Sequence, residues 1–237
     1  MNTQTARIFG TIRSGDEGEH WLSVSDMMAG LMMVFLLISV ALMRSAFIER
    51  DQIKDVAVTY QEGQVAIHDA LMDEFKSDLE KWDARIDRDT LSVEFKSPEV
   101  LFETGEADLQ SHFEAILNDF FPRDLSVLRQ FRKNIEEVRI EGHTSSGWTS
   151  AVNPDEAYFN NTWLSQERTR SVLKYVYELP DVADDRGWVK SKVVAVGFSS
   201  SRLVLDQQGF EDRKASRRVL FRIITDAEVQ IRKILDG

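Results

Sequence analysis

Asp26 stands inside "WLSVSDMMAGLMMVFLLISVALM", residues 21–43, a run of Leu, Met, Val, Phe, Ile and Ala with no Lys or Arg. A carboxylate in such company can do one particular kind of chemistry. Enclosed by protein, it can accept a proton from one aqueous face of a membrane and release it to the other. The membrane potential supplies about 2.3 kcal/mol per charge per 100 mV. An acid left at the centre of a membrane helix costs roughly 2.5–3.5 kcal/mol, so it needs a neighbour. Ser23 and Gly30 lie at i−3 and i+4 on Asp26's face, with Ser25 and Ala29 alongside. Small and polar residues there let a second helix come close. The opposite side is Leu, Met, Val and Phe, suited to lipid. The alternative is an acid about 9 Å from the segment's midpoint that snorkels to an interface. One helix cannot enclose a path, so an ion-carrying Asp26 requires a partner membrane protein. Ser23, Ser25 and Gly30 would then line the channel or pack against that partner.

Other chemistry is scarce. His20, His68, His112 and His143 have no metal-ligand spacing, there is no cysteine, and no Gly-rich phosphate loop or G-x-S-x-G occurs. No catalytic residue, metal or cofactor is therefore expected, and the chain does not read as an enzyme. With 40 acidic against 29 basic residues and a net charge of −11, direct nucleic-acid binding would face phosphate repulsion.

The elements around Asp26 follow from length and periodicity. As a helix, residues 21–43 would span about 34 Å, enough for a hydrocarbon core of roughly 30 Å. A signal peptide or buried core helix can look similar, but this run is long, has no clean A-x-A site and carries an acid near its start. Arg7 and Arg13 precede it while Arg44 and Arg50 follow, so flanking charge does not orient it. From Ile67 the apolar positions Leu71, Phe75, Leu79, Trp82 and Ile86 recur at helical spacing. That pattern fits a helix packed on its own domain or on a second copy, or a stalk in which "SAFIERDQIKDVAVTYQE" plugs the ion path at rest. The expected layout is a tail over 1–20, a transmembrane helix over 21–43, a helical linker with a candidate plug over 44–90, and a domain over 91–237.

Within that domain, "LSVEFKSPEVLFETGEADL" reads as a strand, a turn and a lead into a helix. Residues 109–133 are helical in pattern with an interruption at Pro122, and 136–144 form a strand. "SSGWTSAVNPDEAY" reads as a polar loop, 164–179 as an amphipathic helix, and 192–198 and 217–225 as strands. The order β-α-β-α-β-β predicts an α+β domain with helices packed on one side of a mixed β-sheet.

"VLFETGEADL", "IEGHT", Asn161-x-x-Leu164-Ser165-x-x-Arg168, "VVAVGFSSS" and "SRRV" occur in that order. Together they resemble the peptidoglycan-binding domain shared by the OmpA and MotB families, over about residues 91–225. "SDMMAGLMMVFLL" resembles the membrane helix of MotB, the stator subunit whose aspartate carries the motor's ions. The whole layout is similar to the ZorB family, the MotB-like subunits of Zorya anti-phage defence systems. The resemblance implies a homodimer inside a pentamer of a larger MotA-like membrane subunit, ZorA. It also implies a cytoplasmic N-terminus, a periplasmic C-terminal domain in the inner membrane, and H+ as the ion. Asp26 falls on the ion-carrying aspartate. Asn161, Leu164 and Arg168, with Thr144 of "GHT", fall on the peptidoglycan-binding motif, where the Arg pairs with a carboxylate of the diaminopimelate stem. That family usually has an acid directly after "GHT" to hold the ligand's ammonium, and here Ser145 stands in its place. Either Asp155 or Glu156 replaces it, or wall binding is weaker. Arg217 and Arg218 read as residues that close the sheet edge and support the fold. A flagellar stator subunit and a passive wall tether remain as alternatives. The tail, with no lysine and with Asp16, Glu17 and Glu19, favours the defence system.

Overall fold

The computed structural model describes residues 17–96, 101–149 and 153–236, so most of the expected tail lies outside the described residues. The chain divides into two compact units, one ending at Lys54 and one beginning at Asp55. In the first, helix α1 (Glu17–Phe75) carries the apolar run. From Val24 onward it is long and apolar enough to cross a membrane. Met27, Leu31, Phe35 and Leu42 are all exposed on it. An apolar helix surface that no other described residue of the chain covers belongs in lipid or against other helices.

In the second unit Ile67, Leu71 and Phe75 of α1 are fully buried. The helix stops at Phe75, short of the expected continuation to Ile86. Helix-like hydrogen bonds persist, Leu79 N to Phe75 O at 3.1 Å and Trp82 N to Asp78 O at 3.0 Å, which explains the persisting three-to-four spacing. Asp83, in the left-handed region at φ 46°, then redirects the chain into strand β1 (Ala84–Asp87), which pairs antiparallel with β2 (Ser92–Phe95). The sheet therefore begins within the stretch expected to be linker, seven residues before 91. Asp87 makes this hairpin: its carboxylate accepts from Asp89 N at 3.1 Å and from Thr90 N at 2.9 Å, a side-chain turn that needs no glycine.

Helix α2 (Ser111–Leu128) passes through Pro122 without a break, where an interruption was expected. An interior proline costs about 3 kcal/mol. Burial of Phe120, Phe121, Leu125 and Leu128 on this helix outweighs it. Arg123 fastens α2 to the end of α1. It donates to Glu74 at 2.7 Å and Asp78 at 3.0 Å, and its guanidinium lies 5.0 Å from the centre of the Phe75 ring. Strand β3 (Ile135–His143), helix α3 (Pro154–Glu178), helix α4 (Arg186–Lys192), strands β4 (Val193–Ser199) and β5 (Arg218–Thr225), and helix α5 (Asp226–Asp236) complete the domain. The sheet order is β1-β2-β5-β3-β4, with β3 and β4 parallel and the other neighbours antiparallel. The expected α+β domain, helices packed on a mixed sheet, is what forms. Its core is strongly aromatic: Phe120 has ring centroids at 5.2 Å from Phe75, 5.2 Å from Phe95 and 5.0 Å from Phe221.

Candidate functional site

Two glycines let α3 sit close to the sheet. Gly142 on β3 and Gly197 on β4 are register partners. A Cβ on Gly142 would lie 2.9 Å from Ser165 O, and one on Gly197 would lie 2.6 Å from Ser165 Oγ. Only glycine permits that approach. The strand ends in a bulge at His143 opposite Ser199. There Ser199 N donates to Ser165 Oγ at 3.1 Å and Ser199 Oγ donates to Tyr158 O at 3.0 Å. The helix is started by Asn153, whose side chain accepts from Glu156 N at 2.8 Å, followed by Pro154 at the first helical position. This cap places the helix start ten residues before the expected 164, within what read as loop.

On a helix so placed, Asn161, Leu164 and Arg168 share one face at i, i+3 and i+7. With Thr144 and Ser145 they line a cavity of about 580 Å³, together with Phe102, Thr104, Gly105, Trp148, Arg213 and Arg217. The structure thus brings together all four residues expected to bind the wall. Asn161 Nδ2 donates to Gly147 O at 3.3 Å, holding the loop after β3 against the helix.

Arg168 is only 8% exposed. Its Nε donates to Glu106 O at 2.8 Å and its Nη2 to Glu103 O at 3.0 Å, while the guanidinium lies 4.7 Å from the centre of the Phe102 ring. It fastens the 102–109 segment to α3 and presents its charge to the cavity. Burial, and then the neighbouring Arg217, pull its basicity down to a pKa of about 10. No carboxylate is among the described residues lining the cavity. Thr144 is 4% exposed, and its Oγ1 has no hydrogen-bond partner among the described residues. A cation without an acid beside it and a buried hydroxyl without a partner together suit a carboxylate ligand.

Two expectations need correction. Asp155 and Glu156 lie exposed in the first turn of α3 and are not among the described residues that line the cavity beside Ser145, where an acid from this stretch was expected. Arg217 lines the cavity as well as donating to Arg213 O at 3.1 Å. Arg218 is the fold-supporting member of the pair, donating to Ser216 O at 3.0 Å. Phe102, Trp148 and Arg213 were not singled out from sequence. The stacking of Phe102 under Arg168 could have been sought in the aromatic of "VLFETG".

On α1, Asp26, Ser25 and Gly30 are exposed, and nothing lies within 4 Å of where a Gly30 Cβ would be. The Ser23 side chain lies outside the described residues. Among the described residues no group of His, Asp and Glu is arranged to hold a metal ion.

A curated protein from Escherichia coli, "Zorya protein ZorB", is 55% identical over 223 residues, covering 94% of this chain and 95% of that one. The chain belongs to the ZorB family. An uncharacterised Bacillus subtilis protein, YtxE, is 31% identical over 120 residues, or 51% of this chain and 43% of its own length. No family model matches. Among solved structures, a MotB-like protein from Desulfovibrio vulgaris aligns at 20% identity and a TM-score of 0.49, covering 73% of this chain and 94% of that one. The cell-wall anchor of the Pseudomonas aeruginosa type VI secretion system aligns at 20% identity and 0.45, covering 66% and 97%. Among its described residues this chain joins one apolar helix to one α+β domain, and it is a single-pass membrane protein.

Proposed function

We propose that this chain is the ion-conducting, stator-like subunit of a Zorya anti-phage complex in the bacterial inner membrane. Its N-terminus is cytoplasmic and its domain periplasmic, anchored to peptidoglycan through the cavity lined by Thr144, Asn161, Leu164 and Arg168. Two copies sit within a pentamer of the larger MotA-like subunit, ZorA. Asp26 carries the ion, a proton, along a path that the partner helices close over the Ser23, Ser25 and Gly30 face. The observation that carries the reading is that Asp26 is the single charged residue between Trp21 and Met43. An acid in that position is costly unless it is used. Membership of the ZorB family, with 94% of the chain matched, supports the same role, and the cationic cavity supports the wall anchor.

The test is proton flux into vesicles carrying this chain together with its membrane partner, followed with an entrapped pH dye. The wild type should acidify the lumen under an imposed potential, and Asp26→Asn should be silent while the complex still assembles. Flux unaffected by Asp26→Asn would leave a passive wall tether as the function.

A further inference from the structure

We infer that Glu211 is a positioning residue of the wall-binding cavity, holding the loop after β3 in the shape that takes the stem. This role rests on the wall-binding reading and adds a residue to it. Thr144, Ser145, Gly147, Trp148 and Thr149 of that loop line the cavity, and Ser146 in their midst is bound to Glu211 instead. Both of its donors are engaged. Ser146 N donates to one carboxylate oxygen at 2.8 Å, and Ser146 Oγ donates to the other. On either side of Ser146, Thr144 N donates to Ser199 O at 2.9 Å and Asn161 Nδ2 donates to Gly147 O. The loop is thus tied to the sheet, to α3 and, through Glu211, to the segment before β5.

Glu211 can serve as an anchor because its own segment is firmly built. Leu205 and Glu211 pair as an antiparallel bridge, and Asp212 N donates to Val204 O at 2.8 Å. The Asp206 carboxylate closes the turn between them, accepting from Gln208 N at 2.8 Å and Phe210 N at 3.0 Å. The Glu211 side chain is 14% exposed, so water competes little for its bonds to Ser146. Bonds to an ionised acceptor are about twice as strong as neutral ones. Without them the loop samples other shapes, and stem affinity falls with the fraction left in the binding shape. Glu211 also stands 3.8 Å from Nε of Arg213, a cavity residue, so the rival role is a counter-charge to that arginine. The two roles differ in sign. Removing a counter-charge makes the cavity more positive and tightens an anionic stem, whereas removing an anchor weakens binding.

The experiment titrates a diaminopimelate tripeptide stem by calorimetry into the full chain in detergent. Glu211→Leu removes the acceptors and the charge together. Glu211→Gln removes the charge alone, because its amide can accept from Ser146 N and donate to Ser146 Oγ. Glu211→Leu should weaken binding about tenfold, while Glu211→Gln should stay within about threefold of the wild type. Ser146→Ala, on the loop side, should cost about threefold alone and nothing further in Glu211→Leu. Binding unchanged or tightened in Glu211→Leu overturns the inference. So does equal weakening by both Glu211 variants, or a Ser146→Ala effect that adds to Glu211→Leu. Affinity that falls only as far as the folded fraction falls in a thermal melt overturns it too, since Glu211 would then support the fold alone. A wild type that binds no stem removes the wall-binding reading itself, and the role of Glu211 with it.

Discussion

Two acids sit among apolar side chains in this molecule, and their settings differ. Asp26 is on the apolar stretch of α1, where the described residues around it are exposed. Asp124 is on the inner face of α2, 1% exposed, in the domain core with Leu125 and Leu128. In both places a short stretch of sequence shows one charge in greasy company. The membrane helix leaves its acid open to a partner, whereas the core seals its acid away. Asp124 Oδ1 has no hydrogen-bond partner among the described residues, and burial pushes its carboxyl up to about 7. An acid surrounded by apolar residues is therefore a functional sign only where something can reach it.

The sharpest break between the two regions comes from removing one charge from each. Asp26→Asn should reduce ion flux to background while the unfolding midpoint of the domain stays unchanged. The flux assay and a thermal melt followed by near-ultraviolet circular dichroism check the two halves of that statement. A domain destabilised by Asp26→Asn would mean that the residue is a structural one.

Asp124→Asn should do the reverse, raising stability with flux untouched. The native carboxyl titrates higher than the unfolded one, near 4, so the fold holds the proton more tightly. The stability tied to the neutral acid is complete below about pH 4 and is lost as pH rises towards 7. An amide cannot ionise, so the variant should gain up to about 4 kcal/mol at pH 8 and little at pH 4. Urea unfolding at the two pH values measures this, and equal gains at both would show that Asp124 is not buried as an acid.

The same contrast explains how much could be read from the chain alone. The span and Asp26 are legible because a charge in hydrocarbon needs no tertiary geometry to be conspicuous. The mixed sheet and Arg168's face on α3 follow from periodicity and motif order. The cavity does not, because its walls come from residues as far apart in sequence as Phe102, Thr144, Trp148, Arg168 and Arg213, which only folding brings together. Nothing local says that Arg168 spends two N–H groups on the carbonyls of Glu103 and Glu106, or that Arg217 turns inwards while Arg218 holds Ser216. Strand β1 escapes notice because Asp87 builds its turn with a side chain. Pro122 misleads because tertiary burial overrides local propensity.

Within the domain, binding depends on packing, which a single methyl group can test. Gly197→Ala places a Cβ 2.6 Å from Ser165 Oγ and closer still to Gln166 N, and the Gln166 backbone cannot move without shifting α3. It should cost about 1–3 kcal/mol as overpacking. It should also weaken stem binding, because Asn161, Leu164 and Arg168 move with the helix. Gly30→Ala in α1 meets nothing within 4 Å and should leave domain stability unchanged. Urea midpoints for the pair compare the two regions at the same chemical cost.

The smallest expected effect is the most local. Asn153 caps α3 through the bond from Glu156 N, and Asn153→Ala leaves that N–H to water. Loss of such a cap costs about 1 kcal/mol. Asp155 and Glu156, acids in the first turn, still favour the helix N-terminus and limit the damage. The first turn should fray while Asn161 to Arg168, two turns further on, keep their places. Stem affinity should therefore hold while the urea midpoint falls slightly and amide exchange quickens at residues 155–157. Affinity falling in step with stability would instead mean that the cavity depends on the whole length of α3, and that its binding face cannot be separated from the helix start.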